Sequence, residues 1–236
     1  ELVKNNAIYE KQLKSAISKF AGEQGDKIIS AINLSKKSYE EWLPSVKEDS
    51  IALSVILTPI ILKLMEAQAE DVAHFITGDA LVIDATVKKQ VEARMLKIAG
   101  SYNEDTIKAL QKTLTEGTTN KESLVSLKKR VESTIQDAKG YRAERIARTE
   151  SLRSSNQTAE MVYKQNGYTT VRWFANPGAC EMCSTMDGTT KTIGKDFLGL
   201  GDVVTGTNGG QMEIQYDDVD SPPLHPSCTC TITPDE

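Results

Sequence analysis

Thr169-Thr170-Val171-Arg172-Trp173-Phe174, followed by Asn176-Pro177-Gly178, is the stretch at which the chain changes character. Before Gly167, apolar residues recur at helical spacing. Here β-branched and aromatic residues alternate with polar ones, and Asn-Pro-Gly supplies the chemistry of a turn. The reading is a strand ended by a turn. The fold class that follows is α+β: a helical N-terminal region and then a small mixed α/β module.

Upstream, several amphipathic helices are expected. Ile28, Ile32, Tyr39 and Trp42 share one helical face, with Pro44 as a stop. Ile83, Val87, Val91, Met95 and Ile98 form a second stripe, Ile107, Leu110 and Leu114 a third, and Leu124, Leu127, Val131 and Ile135 a fourth. Gly117 reads as a C-cap after Glu116, and Thr119 with Glu122 as a capping box for the next helix. A boundary near 117–120 divides the chain into a helical region, 1–117, and a C-terminal domain, 118–236.

The segment from Ile51 to Met65 differs from these stripes, because its apolar residues run nearly all round the helix. It must be buried inside this chain or against another, which makes it the expected interface. Interrupted by Ser54, Thr58, Pro59 and Lys63, it falls short of the roughly 20 residues that span a bilayer, so no membrane segment is expected.

Downstream, Asp187-Gly188 is a turn signal before a second short strand, Thr189 to Ile193, and seven of the 15 glycines fall between Gly188 and Gly210. Without a GxxxxGK[ST] pattern that density reads as a mobile loop rather than a phosphate cradle. Asp217, Asp218 and Asp220 read as a solvated acidic turn, and His74 as a histidine at the edge of a helical core.

All four cysteines lie in the last quarter, in the pattern Cys180-x2-Cys183-x41-His225-x2-Cys228-x-Cys230. A C-x2-C turn brings two thiolates onto one ion, and a second knuckle can complete a tetrahedron, so zinc is the first cofactor candidate. Either three cysteines with His225 or all four cysteines would close the site and make it structural. Two disulfides, or one disulfide with free thiols, are the competing readings, and a catalytic thiol the remote one. Pro222, Pro223 and Pro226 are expected to hold the backbone around His225 extended. The chain opens at Glu1 without a signal-peptide pattern, so it reads as a fragment or processed product whose thiols sit in a reducing compartment.

With 39% hydrophobic and 26% charged residues the composition is that of an ordinary globular chain, against collagen-like, disordered and disulfide-dense classes. A net charge of −5 excludes a polycation that coats DNA unaided. Any nucleic-acid contact must be local, and Lys121 to Arg153, at nine basic against five acidic residues, is where it would lie, through Lys128, Lys129, Arg130, Arg142 and Arg145. Residues 177–236 carry a net −8 and 1–176 a net +3. HExxH, GxSxG, Walker A and zinc-deaminase patterns are absent, so no enzymatic activity is expected.

Arg145-Ile146-Ala147-Arg148-Thr149-Glu150 on a helix, Trp173 on the next strand, Cys180-x2-Cys183, Asp187-Gly188 and Pro223-Leu224-His225-Pro226-Ser227-Cys228-Thr229-Cys230 together resemble the phage Mu protein F-like family of head morphogenesis proteins. The likeness covers roughly residues 118–236. It departs at Thr229, where relatives commonly carry Arg. The resemblance implies a structural, portal-associated minor head (capsid) protein of a tailed phage, located in the virion head and, during assembly, in the host cytoplasm. Its implied partners are the portal protein and other head proteins. A DNA-binding virion protein using the basic helices, and a virion-carried enzyme or toxin, are the alternative readings. Arg148 and Glu150 are expected to pair across to the C-terminal module.

Overall fold

The computed structural model describes residues 2–34 and 39–235. Long helices come first: α1 (Leu2–Leu34), a 3-10 turn (Tyr39–Trp42), α2 (Val46–Ile76), α3 (Ala85–Thr119), α4 (Leu124–Asp137) and α5 (Ala143–Gln165), the last two joined by a π-helical turn, Ala138–Arg142. The remainder is β1 (Thr170–Phe174), α6 (Glu181–Met186), β2 (Thr190–Thr192), β3 (Val203–Thr205), β4 (Gln211–Glu213) and β5 (Thr231–Asp235). The fold is α+β. The chain divides into two compact units, one of Glu1–Glu10, Ile61–Ile83 and Arg145–Glu236, the other of Lys11–Ile60 and Asp84–Glu144.

The second unit is helical, and its centre is drawn from three of the four expected stripes; Leu124 of the last is exposed, and Ile83 of the remaining one precedes α3 and belongs to the other unit. Ile28, Ile32, Trp42, Ile107, Leu110, Leu114, Leu127, Val131 and Ile135 form one buried cluster. The single helix read through Ile28 to Trp42 crosses residues 35–38, which lie outside the described residues. On either side of them stand α1, described to Leu34, and a 3-10 turn, Tyr39–Trp42.

Two cap expectations are corrected. Gly117 lies inside the last turn of α3, and Ser123, not Thr119, caps α4 by accepting the Ser126 N–H at 3.2 Å. Glu122 instead binds Arg130 at 2.6 Å, and Asn120 closes α3. Gly117 is needed for closeness rather than for a turn: a Cβ there would stand 2.5 Å from Leu127 Cδ2.

α2 runs well past the apolar stretch read from sequence, with Pro59 inside it. Together with its 3-10 lead-in it is long and apolar enough, by length and composition, to cross a membrane, which the shorter stretch was not. Leu53, Leu57, Ile61, Leu64 and Met65 are buried, in the manner of a core helix, while Ile51, Val55 and Ile56 stay 47%, 68% and 40% exposed. His74, expected at a core edge, is exposed on the last turn of α2.

The first unit contains the strands. β1 is the centre of an antiparallel sheet ordered β2-β1-β5, with Val171 opposite Lys191 and Trp173 opposite Ile232. Val171 and Trp173 point inward and are fully buried; Arg172 and Phe174 face out, the alternation that named the strand. Behind the sheet, Ala69, Val72 and Ala73 of α2 and Ala159, Val162 and Tyr163 of α5 pack with Val171 and Ile232. The glycine-rich stretch, expected as a mobile loop, holds a second sheet, the β3–β4 hairpin. Its inward residues Val204, Met212 and Ile214 are too sparse for a local alternation to show in the sequence, yet they pack in the cysteine cluster.

Candidate metal centre

The cysteine pattern is gathered onto three pieces of local structure. Cys180 is the N-cap of α6 and Cys183 lies in its first turn, so the C-x2-C segment starts a short helix rather than closing a loop. Cys228 and Cys230 lead into β5. His225 sits on the turn between them and Leu224, where the chain does not run extended as expected: Pro222–Pro223 is a cis bond and Ser227 has φ 70°. The Cys228 N–H donates to the His225 carbonyl at 3.1 Å, which closes this second knuckle.

The donors converge. His225 Nε2 lies 3.0 Å from Cys180 Sγ and 3.2 Å from Cys183 Sγ, and Cys183 Sγ lies 3.5 Å from Cys228 Sγ. Two overlapping triads result, Cys180–Cys183–His225 and Cys183–Cys228–Cys230, each with ligand atoms within 4.8 Å of one another. The cysteines are free, so the disulfide readings do not describe this structure. The centre is graded in depth: Cys180 is exposed, while Cys183, Cys228 and Cys230 are buried with Trp173, Met186 and Leu224.

His225 Nδ1 lies 2.8 Å from the Pro226 carbonyl oxygen. A carbonyl only accepts, so Nδ1 carries the proton and the Nε2 lone pair faces the thiols, the orientation that metal-ligating histidines take from such a partner. The sulfurs also receive backbone donors. Cys230 N–H points to Cys228 Sγ at 3.4 Å, and the Cys183 N–H supports Cys180.

The electrostatics follow from this crowding. The contact with Cys183 draws the Cys228 thiol well down, and the same contact pushes Cys183 up, so that one proton is held between them. Burial raises Cys180, but the Cys183 backbone and His225 outweigh it and bring the thiol below its usual range. For His225, burial acts downward and the Pro226 carbonyl and Cys180 carry it upward. Three thiols packed this closely cannot all ionise on their own; a bound cation would allow it. Soft thiolates, a preset imidazole and donors to sulfur suit a zinc-type ion.

The residues that hold the centre to the helix behind it were not visible in the sequence. Asn156 on α5 donates to the carbonyls of Pro222 at 3.1 Å and Cys230 at 3.2 Å and accepts from the Ile232 N–H at 3.2 Å, bracketing the His225–Cys230 segment. Asn176 donates to the Thr229 carbonyl. One turn along α5, Glu160 takes the buried Lys191 ammonium on both carboxylate oxygens at 2.8 Å. Lys191 also donates to the Lys195 carbonyl at 2.7 Å and stands 5.2 Å from the Phe197 ring. Gln157 donates to Asp220, and Asp218 accepts from the Leu200 N–H, so two of the three clustered aspartates fasten loops. Glu150, expected to pair across, is buried in α5.

Of the five cations proposed to meet phosphate, two are engaged inside the helical unit. Arg130 binds Glu122 and Glu116, and Arg142 binds Thr106 and the Tyr102 carbonyl and lies 5.0 Å over the Tyr102 ring. Lys129 is exposed and Lys128 half-buried.

No curated protein and no solved structure matches the chain. Residues 104–233 match the family described as Phage Mu protein F like protein, over more than half of the chain, taking in α4, α5 and every member of the cysteine–histidine centre. The chain belongs to the phage Mu protein F-like family.

Proposed function

We propose that this protein is a structural, non-catalytic minor component of a tailed-phage head, acting in head morphogenesis at the portal vertex, with a C-terminal module set by one zinc ion. The observation that carries the reading is the family match across the whole knuckle. The cysteine–histidine centre supports it as a fold-holding device: Cys180, Cys183 and His225 come together, and Cys228, 3.5 Å from Cys183, would be a fourth ligand that closes the set and leaves no position open for chemistry. Cys230 backs the set from behind, through its N–H on Cys228.

For docking on other head proteins, the exposed Ile51, Val55 and Ile56 of α2 offer an apolar stripe. Cross-linking mass spectrometry on assembled heads tests the assignment. Links from residues 46–60 to the portal or a neighbouring head protein, lost in a Val55→Asp, Ile56→Asp variant, are the expected result. A folded protein absent from heads, or one whose removal leaves head assembly unchanged, would overturn the structural role.

A further inference from the structure

The cysteine–histidine centre holds one donor more than a tetrahedral ion can use. Three donors are common to either way of closing it. Cys183 belongs to both triads and stands 3.2 Å from His225 Nε2 and 3.5 Å from Cys228 Sγ. Zinc–sulfur bonds of about 2.3 Å set the corners of a tetrahedron about 3.8 Å apart, so these separations suit shared ligands. The two candidates for the fourth corner are unlike. Cys180 is exposed and 3.0 Å from His225 Nε2, whereas Cys230 has no exposed surface and lies within 4.8 Å of Cys183 and Cys228.

Cys230 is prepared to act as a thiolate although it stands outside the outer triad. Its backbone is held on both sides, the N–H on Cys228 Sγ at 3.4 Å and the carbonyl accepting from Asn156 at 3.2 Å. The indole N–H of Trp173 is fully buried and has no hydrogen-bond partner of ordinary geometry; the sulfur it acts on is that of Cys230, where it favours the anion. A buried donor without an acceptor is costly. A neutral thiol accepts only weakly, and a metal-bound thiolate at Cys230 would satisfy the indole.

Resting on the zinc reading above, we infer that Cys180 and Cys230 are alternative fourth ligands of one ion, Cys180 the outer and Cys230 the reserve, and that Cys180 is a modification site for soft electrophiles in the metal-loaded protein. With iodoacetamide the Cys180 sulfur forms a C–S bond and iodide leaves. The thioether so formed is uncharged and a poorer ligand for zinc than the thiolate. Cys230 then gives its proton to solvent, and its sulfur takes the vacated corner beside Cys183, Cys228 and His225. The ion keeps four ligands before and after, so the module reacts at its surface without losing its metal.

Native mass spectrometry of the full, reduced chain loaded with zinc tests this, because it counts ions and adducts on the same molecule. Limiting iodoacetamide should give one adduct, mapped to Cys180, with the zinc retained; Cys230→Ser should load zinc and lose it on the same treatment. Against a competing chelator, Cys180→Ser and Cys230→Ser should each weaken zinc binding by about tenfold or less, and the two together by about a hundredfold or more. Cobalt(II) in place of zinc guards against a variant that misfolds: Cys180→Ser should keep the wild-type sulfur-to-cobalt charge-transfer intensity, since three sulfurs still bind. Zinc lost from the wild type at the first adduct, a first adduct elsewhere than Cys180, either single substitution as damaging as both, or a cobalt spectrum that loses one sulfur in Cys180→Ser would each overturn the inference. A reduced wild-type chain that takes up no zinc at all would instead overturn the zinc reading beneath it, and this inference with it.

Discussion

The helical unit and the cysteine module solve the same problem with different materials. In the first, nine buried residues from α1, α3, α4 and the 3-10 turn, all of them aliphatic apart from Trp42, make one core, and long helices supply whole stripes to it. In the second, three of the nine residues in the buried cluster are cysteines, and three of the five strands are only three residues long. Elements that short carry little apolar surface each, and a small module with a thin core needs a staple. The lesson is that the helical unit is held by area, whereas the cysteine module, on the function proposed above, adds a point to the apolar cluster behind its sheet: many replaceable contacts against a few donor positions that must all be filled.

The comparison breaks most sharply at Cys183, the one residue shared by both donor triads. Cys183→Ser should abolish zinc binding and unfold the module, a loss on the order of the 10 kcal/mol that such ions contribute, while the helical unit remains; metal analysis with circular dichroism reads both. Its mirror is Leu110→Ala in the fully buried helical core. A cavity there should cost about 2–5 kcal/mol in denaturant unfolding and leave one zinc bound.

A smaller effect is expected at the join between module and helix. Glu160→Gln would leave the buried Lys191 ammonium without its counter-charge, at a cost of about 3 kcal/mol in the same measurement, and Lys191→Met in addition should recover much of it. If the double variant is no better than the single one, the pair is holding something other than its own charge.

The smallest separation is expected in alkali. Burial pushes Tyr102 in the helical unit and Tyr163 behind the sheet both up to about 12. A folded-state value above the unfolded one stabilises fully below pH 10, and the benefit is lost as pH rises through about 12, because the unfolded chain ionises first. Both units should therefore weaken together over that window in a pH series of thermal melts. Alkaline loss confined to one unit would mean that its partner's tyrosine is not buried in solution.

What could be read from the sequence follows the same division. Stripes such as Leu127, Val131 and Ile135 announce themselves by period, because a helix brings near neighbours in sequence to one face. β1 was legible by alternation and the cysteine centre by ligand spacing. The β3–β4 hairpin was not: three-residue strands among glycines are too short for a period of two to emerge. Nor were Asn156 and the Glu160–Lys191 pair, which join positions 66, 74 and 31 residues apart and leave no local signature. The caps at Gly117 and Thr119 were misread because Gly117 serves the close packing of α3 on Leu127, a tertiary demand that looks like an end signal in one dimension.

Hydrogen exchange followed by mass spectrometry, on the full chain with and without a zinc chelator under reducing conditions, tests the central claim most directly. Chelation should strip protection from β1, α6 and β5 and from the 225–230 knuckle, while Ile107–Leu114 and Leu127–Ile135 in the helical core keep theirs. Equal protection of the cysteine module in both samples, with its thiols free, would contradict the account.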